Sequence, residues 1–326
     1  MEVQWTNCKL ATTQTHKYMA KSFTTEDANA LLPQVKSESV PDPGSLVYLL
    51  IGPPKFGKTT FFCDVPDALL LAFERGASFQ KAFKINIKGW DGDNAVDEDE
   101  AGEKFMTMAT VSALLEKSDR FPFIIFDTAD MAAKMCSDYY CKKNNWQHVS
   151  EGGDYGKGYD LGQNTPFRQM VGTIMRTGRG IGFITHSSIN TTKFKGGDKV
   201  KKETTLPGGI FKFIHTQADV ILHGSFGLRQ KGAKHHDRIL QTAGDDETLA
   251  GSRCSVSIPS RYVVDSTRPW EQWVEFFNDP KAAERAEKAY EKAFAKPGAV
   301  EAEPEPEPEP TPEPEPEPES TRRKRK

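Results

Sequence analysis

At 326 residues, 37% hydrophobic and 27% charged, the chain can bury a sizeable α/β core, and no run approaches the ~20 apolar residues of a membrane-spanning helix. The net charge of −3 hides opposed segments: residues 301–326 carry nine Glu against five Lys or Arg, leaving 38 basic and 37 acidic groups elsewhere. Bulk charge therefore neither points to nucleic acid nor excludes it. Five scattered cysteines (Cys8, Cys63, Cys136, Cys141, Cys254) without a CxxC pair argue against a disulfide framework or zinc site and for thiols in a reducing compartment.

The first twenty residues mix Glu2, Gln4, Asn7, Lys9 and His16 among few apolar ones and do not read as a secretory signal. Residues 1–44 read as an irregular extension ending in Pro41-Asp42-Pro43-Gly44. The apolar run 46–51 predicts a buried strand, followed by a glycine-rich turn and a helix start over 52–62. A second buried strand is expected over 68–73. The seven carboxylates of 91–103 predict a surface loop, and helical spacing resumes over 105–115. Phe123-Ile124-Ile125-Phe126 predicts a third strand, then a helix over 129–143, a Gly/Asn/Tyr-rich loop to Thr165, a helix over 166–177 and a strand over 180–185. Beyond Leu206, shorter strands are expected at 218–223, 238–242 and 254–258, with helix over 269–296. Strands alternating with helices imply a mostly parallel sheet, with ligands at the strands' carboxyl ends.

Gly52-Pro53-Pro54-Lys55-Phe56-Gly57-Lys58-Thr59 matches G-x-x-x-x-G-K-[ST] without a mismatch, between an apolar strand and a helix-compatible stretch that opens with Thr60. Two glycines let successive backbone N–H groups turn toward phosphate oxygens. Lys58 would reach the β/γ-phosphates, and the Thr59 hydroxyl would ligate Mg²⁺. Asp127, at the end of the third strand, is expected to organise the same Mg²⁺, with an N-cap for the following helix as the alternative. Glu74 ends the second strand, where a carboxylate would orient water or simply pair with Arg75 at the surface. His186 ends the strand 182–185, as a γ-phosphate sensor or an ordinary capping or core histidine. His235-His236 do not read as a metal site, because neighbours on a strand face opposite ways.

Taken together, these pieces resemble the phage RecA-like P-loop ATPases, of the phage nucleotide-binding or AAA-domain type, a group that includes Sak-type single-strand annealing proteins. The carriers are GPPKFGKTT, the Glu74 strand end, IIFDTAD at 124–130, DYGKGY at 154–159, GIGFITH at 180–186, LPGG at 206–209 and Ala218-Asp219-Val220, spanning roughly 45–265. The resemblance implies an α/β, RecA-like fold with a mostly parallel sheet flanked by helices, binding ATP and Mg²⁺ and hydrolysing ATP. It makes Glu74 the base that polarises water, and His186 the γ-phosphate sensor, where RecA itself uses glutamine. It also implies two DNA-facing loops. The first, about 144–165, offers Trp146, Tyr155, Lys157 and Tyr159. The second, about 187–205, offers Lys193, Phe194, Lys195, Lys199, Lys201 and Lys202 for phosphate contact and base stacking on single-stranded DNA, or is a solvated loop touching nothing. Arg253 stands where related phage proteins often carry a basic residue, as a candidate trans-acting arginine finger in a homo-oligomer or as an ordinary surface arginine.

The domain plan is thus an extension over 1–44, an ATPase core over 45–265, a helical segment over 266–296 and a disordered Glu-Pro spacer with a basic end over 297–326. That end reads as a nucleic-acid or acidic-partner contact, as a nuclear localisation signal, or as a solubilising tail. The leading expectation is an ATP-dependent protein binding single-stranded DNA in phage recombination, annealing or replication, in the host cytoplasm and not in a membrane. The competing one is a nucleotide-gated interaction protein that uses the charged tail to recruit a partner. No arginine-rich lid supports a kinase, and no guanine-specific N-K-x-D stands in an appropriate place.

Overall fold

A computed structural model describes residues 42–74, 79–87, 108–194, 197–227 and 236–294, with the backbone alone over 192–200. The acidic stretch 91–103, the tail 297–326, residues 1–41, Arg75, Lys195 and His235 lie outside the described residues.

The apolar run after Leu46 forms β1 (Val47–Gly52), whose last five residues are all buried. A short helix, α1 (Lys58–Cys63), follows the glycine-rich turn and leads to β2 (Leu69–Ala72), buried throughout, and β3 (Phe83–Asn86). Sequence reasoning passed over β3 because its residues are exposed or half-buried, which leaves no apolar run to see. After a helix over 108–116 (α2) come β4 (Phe123–Asp127), α3 (Ala129–Lys143) and α4 (Thr165–Met175). The expected loop before α4 is instead largely helical: a 3₁₀ turn at Val149–Gly152 and continuous helical turns over 157–164. Gly158 permits this, because a Cβ there would lie 1.9 Å from the Val149 carbonyl oxygen.

The strand expected over 180–185 runs much further, as β5 (Gly180–Phe194), and pairs antiparallel with β6 (Gly197–Thr204). The second expected loop is therefore a β-hairpin. The β-branched and polar residues Ser188-Ile189-Asn190-Thr191-Thr192 suit a two-sided strand better than a coil. Next come α5 (Gly208–Gln217), β7 (Val220–Phe226), β8 (Arg238–Gln241), β9 (Gly251–Ser252) and β10 (Arg261–Val263). The strand expected at 254–258 does not form. Cys254, Val256 and Ile258 alternate inward against the core without pairing in the sheet. The C-terminal helix divides into α6 (Pro269–Asn278) and α7 (Pro280–Phe294) at Asp279-Pro280, since the residue before proline disfavours helical backbone.

The main path across the sheet is β10-β8-β7-β1-β5-β4-β2-β3, parallel from β7 to β3 and antiparallel at the β8–β10 end. One core layer unites Leu49, Phe126 and Phe183 with α2 to α5. The other unites Tyr48, Leu50 and Ile125 with α1, α6 and α7. Phe62 of α1 lies flat on the sheet because Gly182 has no side chain; a Cβ would come within 2.9 Å of its ring. On the same face Trp273 Nε1 donates to the Tyr48 hydroxyl (3.1 Å), which donates to the Pro43 carbonyl (2.8 Å), so both buried polar tips are satisfied. Cys63, Cys136, Cys141 and Cys254 are free thiols, and among the described residues no helix is long and apolar enough to cross a membrane.

His223 in β7 is 3% exposed, and its Nε2 has no hydrogen-bond partner. Burial, reinforced by Lys202 and opposed by Asp245, lowers its pKa from the ordinary 6.5 to about 4. Between these values the unfolded chain binds a proton that the folded chain refuses, so stability falls as pH drops from 6.5 to 4, by up to about 3 kcal/mol. Urea unfolding across that window should show a shallower loss for His223→Gln than for the native chain; parallel curves would contradict the assignment.

Candidate functional site

Register decides what meets at the carboxyl edge. Gly52 of β1 pairs with His186 of β5; Asp127 of β4 pairs with Ile184 on one side and with Ala72 of β2 on the other. Glu74 follows β2 by two residues, so the phosphate loop, an imidazole and two carboxylates share one end of four adjacent strands.

The loop bends through Lys55 (φ 63°) and Gly57 (φ 99°) before α1 begins at Lys58. Phe56 turns inward and is 3% exposed, seated on Gly224 of β7, where a Cβ would come within 2.6 Å of its ring. Lys58, 6% exposed, donates from Nζ to the carbonyls of Gly52 (2.8 Å) and Pro53 (2.9 Å). The same ammonium stands 3.4 Å from His186 Nδ1. An ammonium can only donate, so Nδ1 accepts and the proton sits on Nε2, which faces Glu74 Oε1 at 3.9 Å. Burial lowers the Lys58 pKa to about 8, against the pull of Asp127, Asp130 and Glu74.

Asp127 closes β4 and is 5% exposed; its Oδ2 accepts from the Thr59 hydroxyl at 3.0 Å. The N-cap position of α3 belongs to Thr128, which overturns the capping alternative for Asp127. Burial raises the Asp127 pKa to about 6 despite the Thr59 hydrogen bond, with Glu74 adding to the rise. Glu74 goes the other way. The His186 ring holds its carboxyl below the usual range, followed by the Thr128 hydroxyl, which donates to Oε1 at 2.7 Å. At 3.9 Å the ring is beyond direct hydrogen-bond distance, so its effect is chiefly electrostatic. Glu74 Oε2 carries no hydrogen bond among the described residues.

These residues fit a magnesium-bound triphosphate. No group of three or more His, Cys, Asp or Glu could hold a metal among the described residues. Mg²⁺ keeps waters and phosphate oxygens and needs only one or two protein oxygens, which the hydrogen-bonded Thr59 hydroxyl and Asp127 carboxylate would supply. A buried carboxylate that resists ionisation is stabilised by a divalent cation beside it.

Thr60 Oγ1 accepts from Gln80 Nε2 at 3.2 Å. Lys157 is exposed at the start of the turns before α4, beside fully exposed Tyr155. Lys193, Phe194 and Lys199 lie on the hairpin strands. Lys201 pairs with Glu203 at 3.7 Å, and the Lys202 amide donates to the Glu247 carbonyl (2.8 Å). Arg253 donates to the Thr216 carbonyl (2.8 Å) near the amino end of β7, away from its own chain's loop. Sequence reasoning missed three contributors. Thr128 and Asp130 stood in view in the run IIFDTAD, but Thr205 gave no signal. Its amide donates to the His186 carbonyl (3.0 Å) and its hydroxyl to Asp130 Oδ2 (2.8 Å), tying the hairpin's return to the site.

Gly57→Ala should destabilise the fold by about 1–2 kcal/mol, because an L-residue is strained at a φ of 99°. The steric part is smaller, since the nearest atom to the new Cβ is the movable end of Arg238, at 2.7 Å. Denaturant unfolding reads this directly, and an unchanged midpoint would contradict it.

The family model described as AAA domain matches residues 45–254, which is more than half of the chain and includes every residue of this site. No curated protein matches this chain in sequence. The chain belongs to the AAA-domain family, with the P-loop nucleotide-binding ATPase fold that its sheet order and phosphate loop display.

Proposed function

We propose that this protein hydrolyses ATP and uses the nucleotide state to control binding of single-stranded DNA, in phage recombination, annealing or replication. The observation that carries the reading is the junction at His186. Its ring lies between Lys58 and Glu74, and its carbonyl is bonded to Thr205, where the lysine-bearing hairpin re-enters the core.

In this reading the loop amides and Lys58 hold the phosphates, while Thr59 and Asp127 hold Mg²⁺, which neutralises charge on the phosphate oxygens. Glu74 directs water at the γ-phosphorus; the new P–O bond forms as the bond to the β-phosphate oxygen breaks, giving ADP and phosphate. A carboxylate held below its usual pKa is a weak base, so Glu74 orients the water first and takes its proton late. Presence or absence of the γ-phosphate is felt by His186 and passed through Thr205 and Asp130 to the hairpin. Lysines on an exposed hairpin contact a strand's phosphates without reading its sequence. Assembly of a homo-oligomer on the strand belongs to the same reading, with Arg253 as the group offered in trans.

Lys58→Ala should lose nucleotide binding, whereas Glu74→Gln should bind ATP while turnover falls by about 10²-fold or more. Single-stranded DNA affinity, titrated with ADP and with a non-hydrolysable ATP analogue, should differ between the two and weaken steeply with salt. Nucleotide binding with little turnover and no DNA binding in either state would favour the nucleotide-gated interaction protein instead.

A further inference from the structure

We propose that Arg238 is a phosphate-binding residue of the same chain, gripping the α/β-phosphate end of the nucleotide; the inference rests on the nucleotide-binding reading above. Nothing in the P-loop motif includes it. Arg238 opens β8, and antiparallel pairing sets it directly opposite Phe226 of β7. Direct cross-strand partners share a face. Phe226 packs on Phe56 of the phosphate loop, with ring centroids 5.9 Å apart, so Arg238 faces the loop too. The contact is close: a Cβ on Gly57 would lie 2.7 Å from Arg238 Nη1, 3.3 Å from Cζ and 3.8 Å from Nε. The guanidinium therefore lies along the bare side of Gly57, one residue before Lys58.

Two further observations give that position a purpose. Arg238 is half-buried, yet among the described residues no hydrogen bond or ion pair holds its guanidinium. A partly dehydrated fork of five donors without an acceptor is costly, and an anionic oxygen answers it. Charge balance points the same way. Lys58 already answers to Asp127, Asp130 and Glu74, so the described groups around it sum to a negative charge before any phosphate arrives. Arg238 adds a positive charge in contact with the loop, where phosphates would add further negative charge.

Topology says which phosphate. Glu74 and His186 mark the γ end, on the β5, β4 and β2 side of β1. Arg238 comes from β8, beyond β7, on the other side of β1. The guanidinium accordingly serves the phosphates shared by ADP and ATP.

The test is calorimetric titration of the full chain with ADP and with a non-hydrolysable ATP analogue, both with Mg²⁺, on the native protein, Arg238→Ala and Arg238→Lys. Arg238→Ala should weaken both nucleotides about tenfold or more and by the same factor. Arg238→Lys, which keeps the charge and loses the fork, should fall between, and is read in the same way if the alanine variant does not fold. A folded variant that binds ADP as the native chain does would overturn the proposal, and so would a loss confined to the ATP analogue. If the native chain takes up neither nucleotide, the failure belongs to the nucleotide-binding reading.

Discussion

In a parallel sheet each strand delivers its last side chains to the same edge, and the lateral register decides which of them meet. Here Gly52 stands beside His186, and Asp127 stands between Ile184 and Ala72. A slip of one residue in β4 would swing Asp127 to the other face of the sheet and part its carboxylate from Thr59. Apolar residues hold the register. Tyr48, Leu50 and Ile125 are locked against one helical layer, and Leu49, Phe126 and Phe183 against the other, so a slipped pairing would misfit the packing on both faces.

The site that results carries electrostatic tension. Lys58 and Asp127 are both nearly buried, and burial displaces both toward neutrality. Their partners offset only part of that cost: two backbone carbonyls for the ammonium and one hydroxyl for the carboxylate. A phosphate chain with a magnesium ion would restore what desolvation removed at both positions, and for that reason the arrangement suits a ligand carrying both signs of charge. Glu74 differs in kind. It is half-buried beside His186 and Thr128, which hold it ionised and oriented rather than short of charge.

How much of this was legible in the sequence follows from whether a feature is local. The phosphate loop was, because its glycine spacing is a property of eight consecutive residues. Asp127 and Glu74 were, because each ends or follows an apolar run whose direction in a parallel sheet is fixed. His186 could be placed at a strand end, but its strand does not stop there; the glycines and lysines of 193–199 look like loop, while the β-branched residues before them continue the strand. Thr205 and Arg238 could not be read at all, since each reaches the site through pairings between segments distant in the chain. The alternation at 254–258 works in the opposite sense: its residues face inward every second position as a strand's do, although the segment finds no ladder to join.

Every role proposed at this edge requires that the bent loop of residues 52–59 receive a magnesium-bound nucleoside triphosphate. Equilibrium dialysis of the native full chain against a radiolabelled, non-hydrolysable ATP analogue, with Mg²⁺ and then with excess chelator, tests it most directly. Saturation at one analogue per chain is expected with Mg²⁺, and weaker retention without it. No saturable uptake by folded protein in either condition would contradict the account at its base.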